Sequence, residues 1–234
     1  MMVTLYRSEE RMNITGGWGS CADTFFGSED EKYLGFGNLV QLTHATLNPE
    51  GGNSGMKLHR NMELVDIMIS GAVGFQDSFG GTSAFPENTI QAVSAGKGMY
   101  QLEFNAGSRT AEKIQIGFLP SSLNRNPQKS KAIYDLTQHR NSLIELVSPN
   151  NHSSLSVLQQ AAIFMGTFDA GKHVGYSVND RLVGVLIYVL NGTVTVHNQI
   201  LNRGDSIGIR DEEQIMFHTV DESTILLIEV LMND

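Results

Sequence analysis

Short apolar runs separated by turn residues follow one another along this chain. Ile67-Met68-Ile69 leads into Ser70-Gly71 and then into Ala72-Val73, and Tyr188-Val189-Leu190 leads in the same way into Asn191-Gly192 and Thr193-Val194. The chain has 24 glycines and 5 prolines. Short runs of β-forming residues bounded by Gly, Asn and Ser are typical of antiparallel strands. We therefore predict an all-β fold with few short helices.

The two runs belong to an internal repeat. Gly192 follows Gly71 by 121 positions and Gly171 follows Gly51 by 120 positions, so two halves share one plan. Each half is expected to contain an extended strand, a turn, a hairpin hinged at the Ser-Gly or Asn-Gly pair, and a returning strand at 89–93 or 206–209. This order favours two tandem antiparallel β-barrels whose inward and outward residues alternate.

The stretch between the two halves interrupts the strand pattern. Pro120, Asn124, Asn126 and Pro127 are clustered there, and residues 129–136 leave room for one helical turn. We predict an N-terminal barrel at residues 1–120, a linker at 121–142 and a C-terminal barrel at 143–234.

Composition excludes several classes of protein. Hydrophobic residues make up 41% of the 234 residues and charged residues 18%, which is sufficient for an apolar core. The formal net charge is -9 and no basic run is present, so nucleic-acid binding is not expected. A single cysteine, Cys21, forms no intrachain disulfide, and no apolar run approaches the ~20 residues of a membrane span. These features predict a cytoplasmic protein that does not bind membranes.

Candidate chemistry lies at two pairs of positions in the first half. Residues two apart in a strand share a face, so Lys57 points with His59, and Gln101 points with Glu103. We expect these four side chains to converge inside the N-terminal barrel.

Motifs around these positions point to a known family. In the first half they lie at 35–37, 59–63, 69–71, 77–78, 94–98 and 103–105, and in the second half at 146–149, 169–171, 191–196, 204–205 and 211–212. In order and spacing the chain resembles the pirin family over nearly its whole length. The resemblance implies a bicupin, which is a pair of tandem antiparallel β-barrels of the double-stranded β-helix type.

The resemblance also implies a metal centre in the N-terminal barrel. Pirins hold Fe(II) or another divalent transition metal with a His-x-His pair and a later His-x-Glu pair. Only His59 and Glu103 match this pattern, because Lys57 and Gln101 replace the first and third histidines. A protonated lysine has no lone pair to offer a metal ion. We predict a two-ligand remnant of the four-ligand site and no resident cofactor.

The lysine at position 57 and two further departures from the family bear on this site. We hypothesise that the Lys57 ammonium pairs with the Glu103 carboxylate in place of the ion. The alternative is that Lys57 extends to the barrel mouth while Glu103 bonds a backbone group. Phe75 replaces a residue that is polar in many relatives, and Gly117 replaces a bulky aromatic, which is expected to open space beside the barrel.

The remaining histidines carry no ligand pattern. His173 and His197 fall on the second barrel and are interpreted as structural or exposed. The other four are scattered without ligand spacing, and these are His44, His139, His152 and His218.

Two functions follow from the resemblance, because pirins are associated with quercetin 2,3-dioxygenase activity and with regulatory binding. We predict a metal-free regulatory role through a small molecule or a protein partner. The alternative is a weak metal-dependent quercetin 2,3-dioxygenase-type oxidoreductase, in which Gln101 and waters complete the metal sphere and Glu103 serves as ligand or base.

Overall fold

The computed structural model describes residues 1–148, 155, 161–178 and 180–232. Within these ranges it contains 21 strands and three single-turn 3-10 helices, at Ser8–Glu10, Glu31–Tyr33 and Thr137–His139. No helix in the described ranges is long and apolar enough to cross a membrane. The predicted all-β class is therefore confirmed.

The N-terminal barrel is built from a seven-stranded and a four-stranded sheet. The strands of the first part of the chain are β1 (Met2–Tyr6), β2 (Met12–Gly16), β3 (Gly19–Asp23), β4 (Leu39–Leu47), β5 (Lys57–His59), β6 (Glu63–Ser70), β7 (Ala72–Asp77), β8 (Thr82–Pro86), β9 (Thr89–Ser94), β10 (Met99–Asn105), β11 (Ala111–Phe118) and β12 (Gln128–Ile133). The large sheet has the order β12-β9-β6-β11-β4-β3-β2, and the small sheet has the order β5-β10-β7-β8.

The C-terminal barrel repeats this plan with one strand fewer in its large sheet. Its elements are β13 (Ile144–Val147), β14 (Ala161–Phe168), β15 (His173–Ser177), β16 (Val183–Asn191), β17 (Thr193–Val196), β18 (Gln199–Asn202), β19 (Ser206–Arg210), β20 (Gln214–Thr219) and β21 (Ser223–Leu231). Its large sheet has the order β1-β19-β16-β21-β14-β13 and its small sheet β15-β20-β17-β18. Strands β4 to β11 thus correspond in order to strands β14 to β21, as the internal repeat predicts.

The predicted Ser-Gly and Asn-Gly turns are present, but they do not close hairpins. Gly71 and Gly192 have φ angles of 72° and 81°, in the left-handed region that glycine tolerates best. Strand β6 pairs with β9 and β11, whereas β7 pairs with β8 and β10. The hairpin prediction was wrong because each turn carries the chain from the large sheet to the facing small sheet. Turn chemistry alone does not distinguish these two outcomes.

Each barrel also receives a strand from the segment that precedes the other barrel. Strand β1 pairs with β19 of the C-terminal barrel, from Met2 opposite Arg210 to Tyr6 opposite Ser206. Strand β12, within the segment predicted as a linker, pairs with β9 of the N-terminal barrel. The single turn Thr137–His139 lies in the same segment. The two barrels are therefore tied together by reciprocal strand exchange.

The two large sheets pack back to back and form the main apolar core. Outward-facing residues such as Val65, Ile116, Leu186 and Ile228 are fully buried between them. A polar network crosses this core, in which the Tyr188 hydroxyl accepts a hydrogen bond from Arg11 at 3.0 Å and contacts His44 Nδ1 at 2.7 Å. Close packing between the two large sheets fixes their orientation, and the opposite face of each sheet lines its own barrel.

Candidate functional site

The interiors of the two barrels differ in polarity. The C-terminal barrel is filled by one continuous apolar cluster that draws on both of its sheets. The N-terminal barrel contains two small apolar clusters, one around Met68 and Phe75 and one around Leu64 and Met99. Polar side chains that are buried to at least nine-tenths lie between them, and they include Asp66, Gln91, Gln101, Glu103, Lys113 and Gln115. A buried polar layer of this kind is the informative exception in a protein core.

Strand alternation places two of these charges inside the barrel. On β6, Asp66 follows Leu64 by two residues and shares its inward face, while Val65 faces the other barrel. On β11, Lys113 is inward and Ile114 is outward by the same rule. Asp66 and Lys113 are 0% and 1% exposed, so each charge depends on a partner inside the barrel.

Lys113 is the centre of a buried ion cluster. Its Nζ donates to Asp66 Oδ1 at 2.7 Å and to Glu103 Oε1 at 2.6 Å. Gln115 Nε2 bridges the same two oxygens, at 2.9 Å and 3.2 Å. The ammonium also lies 5.2 Å from the centroid of the Phe75 ring. One cation is thus held between two carboxylates and an aromatic face, an arrangement that compensates its burial.

The pKa values of this cluster follow from burial and charge pairing. Burial would raise the pKa of Glu103, but the adjacent Lys113 outweighs it, and the pKa lies below its usual value. Burial likewise opposes the charge on Lys113, yet Asp66 and Glu103 hold its pKa above the usual value. Both groups are therefore ionised at neutral pH. Burial lowers the pKa of His59, against the opposing effect of the carboxylates, so its ring is neutral.

The predicted convergence of positions 57, 59, 101 and 103 is met in part. Strand β10 pairs with β5, which sets Gln101 opposite Lys57 and Met99 opposite His59. His59, Gln101 and Glu103 are buried, while Lys57 is exposed. Both side-chain polar atoms of Gln101 are buried without a hydrogen-bond partner.

The hypothesis of a Lys57 to Glu103 ion pair is wrong in its choice of lysine. Among the described residues, the cation within 4 Å of the Glu103 carboxylate is Lys113. Lys57 lies at the exposed end of β5, as the alternative proposed, and acts on Glu103 only as a more distant charge. The second part of that alternative fails as well, because the Glu103 carboxylate bonds Lys113 and Gln115 rather than backbone groups.

The donor set in this barrel does not fit a divalent metal ion. In the part of the chain that the structure describes, no group of three or more His, Cys, Asp or Glu side chains is placed to hold one. Glu103, one of the two matching ligands, already has its Oε1 bonded to an ammonium. A divalent ion at that oxygen would lie against the Lys113 charge, which it would have to displace.

Gly117 does not open the expected space. A Cβ at this position would lie 2.9 Å from both Gln41 Cβ and Met62 Cε, so neighbouring side chains occupy the volume. Gln41 is further held by a 2.7 Å hydrogen bond from its Nε2 to Gln115 Oε1. The barrel interior beside Gly117 is therefore filled by the polar layer and by Met62.

Sequence reasoning missed Asp66 and Lys113, although a signal was present. Asp66 is the one charged residue within the apolar run 64–69, and Lys113 occupies an inward position of a strand whose Ile114 and Ile116 face outward. Opposite charges on inward positions of two strands suggest a buried pair. Their pairing was hidden because β6 and β11 are adjacent in the sheet but 47 residues separate the two side chains.

Comparison with known proteins agrees with this architecture. The family model described as Pirin matches residues 20–117, and the model described as Quercetinase C-terminal cupin domain matches residues 145–230. The chain is 25% identical over 233 residues to a quercetin 2,3-dioxygenase of Escherichia coli, covering 98% of this chain and 99% of that protein. It is 25% identical over 173 residues to a pirin-like protein of Caulobacter vibrioides, covering 73% and 74%.

A solved structure shares the complete fold. The bacterial pirin YhhW from Escherichia coli, in complex with nickel(II), superposes with a TM-score of 0.89 at 24% identity, covering 99% of this chain and 100% of that chain. Both barrels and their tandem order are therefore matched. The predicted bicupin fold is confirmed, and the chain belongs to the pirin family.

Proposed function

We propose that this pirin-family protein works without a resident metal ion and acts in the cytoplasm as a regulatory protein that binds a protein partner. The observation that carries the proposal is the buried Lys113 ammonium, bonded to Glu103 at 2.6 Å and to Asp66 at 2.7 Å. An internal cation there neutralises the carboxylate charge that a metal ion would otherwise balance.

The filled interior supports the same proposal. Lys113, Gln115 and Gln101 are 1%, 4% and 1% exposed, and Glu103 is 7% exposed. Oxygen chemistry at a metal requires an open coordination position that substrate can reach. The packed polar layer offers structural support for the barrel rather than such a position.

Two observations favour the alternative of a metal-dependent dioxygenase. Gln101 Oε1 is buried without a partner on the face shared with Glu103, and an amide oxygen is a possible though weak ligand. A relative that spans nearly the whole chain also carries the name quercetin 2,3-dioxygenase. This alternative requires Lys113 to leave Glu103, so the two proposals differ in what the lysine does.

Ligand restoration with and without Lys113 separates the two proposals. The first variant is Lys57→His with Gln101→His, and the second adds Lys113→Met and Asp66→Asn. If the internal ammonium excludes the metal, the first variant should bind little Ni²⁺ or Fe²⁺, and the second should bind close to one ion per chain. Calorimetric titration of the purified chelator-treated proteins measures both.

Equal metal binding by the two variants would contradict the proposed role of Lys113. The matched control adds Lys97→Met and Gln76→Asn to the first variant, since both residues are exposed. This control should behave like the first variant. Circular dichroism of every variant confirms that loss of metal binding is not loss of fold.

The surface around the barrel mouth supports a protein partner. On the outer side of β5 and β10, Leu58 lies opposite Tyr100, and the two are 55% and 49% exposed. Phe79 is 65% exposed and follows Ser78, whose N–H donates to Tyr100 O at 2.9 Å. We call these three residues the mouth patch.

Exposed cations border the mouth patch. The Lys97 N–H donates to Arg125 O at 2.8 Å, and a Cβ at Gly98 would lie 3.6 Å from Leu58 Cδ1 and 3.9 Å from Arg60 Cβ. Arg60, Lys97 and Arg125 have no carboxylate within 4 Å among the described residues. Unpaired cations beside apolar side chains, on a chain of net charge -9, favour a partner segment that is acidic and carries apolar anchors.

Binding of a synthetic peptide of alternating glutamate and leucine tests this surface. Wild type should bind the peptide with an affinity that falls as salt rises, and Lys97→Glu with Arg125→Glu should abolish binding. Arg181→Glu on the other barrel, where Arg181 is highly exposed, is the matched control. Binding that survives the double reversal, or a stronger response to single-stranded DNA than to the peptide, would contradict the assignment.

A further inference from the structure

Two histidines that are 45 positions apart in sequence lie side by side on the C-terminal barrel. Strands β15 and β20 are neighbours in the small sheet, and their register sets His173 directly opposite His218. Val174 and Phe217, the next residues on each strand, pack into the barrel core. Both imidazoles are therefore on the outer face of the sheet.

The two rings are close and accessible. Their centroids are 4.4 Å apart with an angle of 36° between the ring planes. His173 is exposed and His218 is half-buried. Directly opposite residues of antiparallel strands have Cβ atoms about 4.5–5.5 Å apart, which allows both side chains to reach one small ion between them.

A thioether lies beside this pair. The next register pair on the same face is Gly175 opposite Met216. Met216 is 54% exposed, and its Sδ lies 3.0 Å from the position that a Cβ on Gly175 would occupy. The side chain of Met216 therefore crosses over β15, on the face that carries His173.

This set of donors selects a class of ion. Neutral imidazole binds Zn²⁺, Ni²⁺ and Cu²⁺, with Cu²⁺ the strongest of the three, whereas Mg²⁺ and Ca²⁺ require oxygen ligands. The thioether is a soft ligand that adds affinity for Cu⁺ in particular. On the side away from β15, His218 lies opposite Thr195. The adjoining register pair on this face is Gly175 with Met216, so neither position adds a carboxylate.

We propose that His173 and His218, with Met216 alongside, form a copper-binding site on the outer surface of the C-terminal barrel. The imidazole nitrogens supply two ligands, and water completes the sphere around Cu²⁺. The site is separate from the polar layer of the N-terminal barrel, and it stands or falls independently of the proposed function.

Copper titration of the untagged, chelator-treated full chain tests the site. Wild type should bind one Cu²⁺ per chain with imidazole nitrogen hyperfine structure in its electron paramagnetic resonance spectrum. Loss of a group that only hydrogen-bonds a metal ligand lowers metal affinity about 10- to 100-fold. Loss of a ligand itself should cost at least as much, so His173→Gln and His218→Gln should each weaken copper binding by at least about tenfold. Met216→Leu should lower the affinity for Cu⁺ and leave that for Zn²⁺ unchanged.

Two matched controls keep the test specific. His139→Gln removes a histidine of a 3-10 turn outside both barrels' small sheets, and His59→Gln removes the buried histidine of the N-terminal barrel. Both should bind copper like wild type. Unchanged copper binding in the His173→Gln, His218→Gln double variant would overturn the proposal, as would loss of binding in His59→Gln alone.

Discussion

Replacement of Lys113 by methionine tests the energetic role of the buried ion cluster. The change removes the ammonium that bonds Asp66 and Glu103 and leaves two carboxylates, 0% and 7% exposed, without a cation inside the barrel. Removing one partner of a buried ion pair costs about 3–5 kcal/mol. For a chain of this size each kcal/mol lowers the melting temperature by roughly 2–4 °C, so a loss of about 10 °C is expected.

The pH dependence of this loss has a definite sign. In wild type the lowered pKa of Glu103 contributes stability that is present above the unfolded value, about 4.3, and is lost as pH falls through the folded value. Without Lys113, burial raises that pKa, so the variant loses stability as pH rises. The difference in free energy of unfolding between wild type and Lys113→Met should therefore be largest near pH 7 and should decrease towards pH 4.

Urea unfolding at both pH values measures the gap. Lys97→Met, at an exposed lysine, is the control and should change the free energy of unfolding by no more than about 0.5 kcal/mol. Adding Asp66→Asn and Glu103→Gln to Lys113→Met should recover most of the loss, because no buried charge then remains. A loss below about 1 kcal/mol that is the same at pH 4 and pH 7 would refute the reasoning.

Two further predictions concern the contact between the barrels and the C-terminal barrel. Tyr188→Phe removes the hydroxyl that the buried Arg11 and the His44 ring share as a hydrogen-bond partner. The free energy of unfolding, measured with urea, should fall by about 1–3 kcal/mol. An unchanged free energy of unfolding would show that water replaces the hydroxyl. Burial, aided by nearby carboxylates, raises the pKa of Glu229, so its ionised form destabilises the fold as pH rises through that value. Glu229→Gln keeps an acceptor for the Tyr176 hydroxyl and should raise the melting temperature at pH 7 but not at pH 3; no difference between the two pH values would contradict this.

Local features of this fold are readable from the sequence. The strands on either side of Gly71 and Gly192, and the returning strands that became β9 and β19, follow from apolar runs and turn residues. The offset between the halves reflects a repeat that the structure shows strand by strand. These features are local or periodic, so they are determined by residues that are close together in the sequence.

Long-range pairings were not readable in the same way. Strand β1 joins β19 about two hundred positions away, and the glycine turns join different sheets rather than adjacent strands. A turn residue fixes a backbone angle but not the sheet in which the next strand pairs. Sheet assignment depends instead on the packing of whole faces, which involves residues from both ends of the chain.

The candidate site shows the same division. Strand periodicity correctly placed Lys57 and His59 on one face of β5, and Gln101 and Glu103 on one face of β10. That rule needs only a spacing of two residues. It gave the wrong lysine for Glu103, because the competing cations lie on different strands. Which ammonium reaches a buried carboxylate depends on sheet order, and β11 carries Lys113 inward whereas β5 ends at the exposed Lys57.

Metal content of the purified protein tests the central claim most directly. Untagged wild type, His173→Gln with His218→Gln, and His59→Gln would be expressed in medium supplemented with iron, nickel and copper and analysed for elements without chelator. If the N-terminal barrel holds no resident metal, the variant that lacks His173 and His218 should contain far less than one metal ion per chain. Any metal found in wild type should be lost in that variant. Near-stoichiometric metal that persists in the pair variant and disappears in His59→Gln would contradict it, because the ion would then lie in the N-terminal barrel despite Lys113.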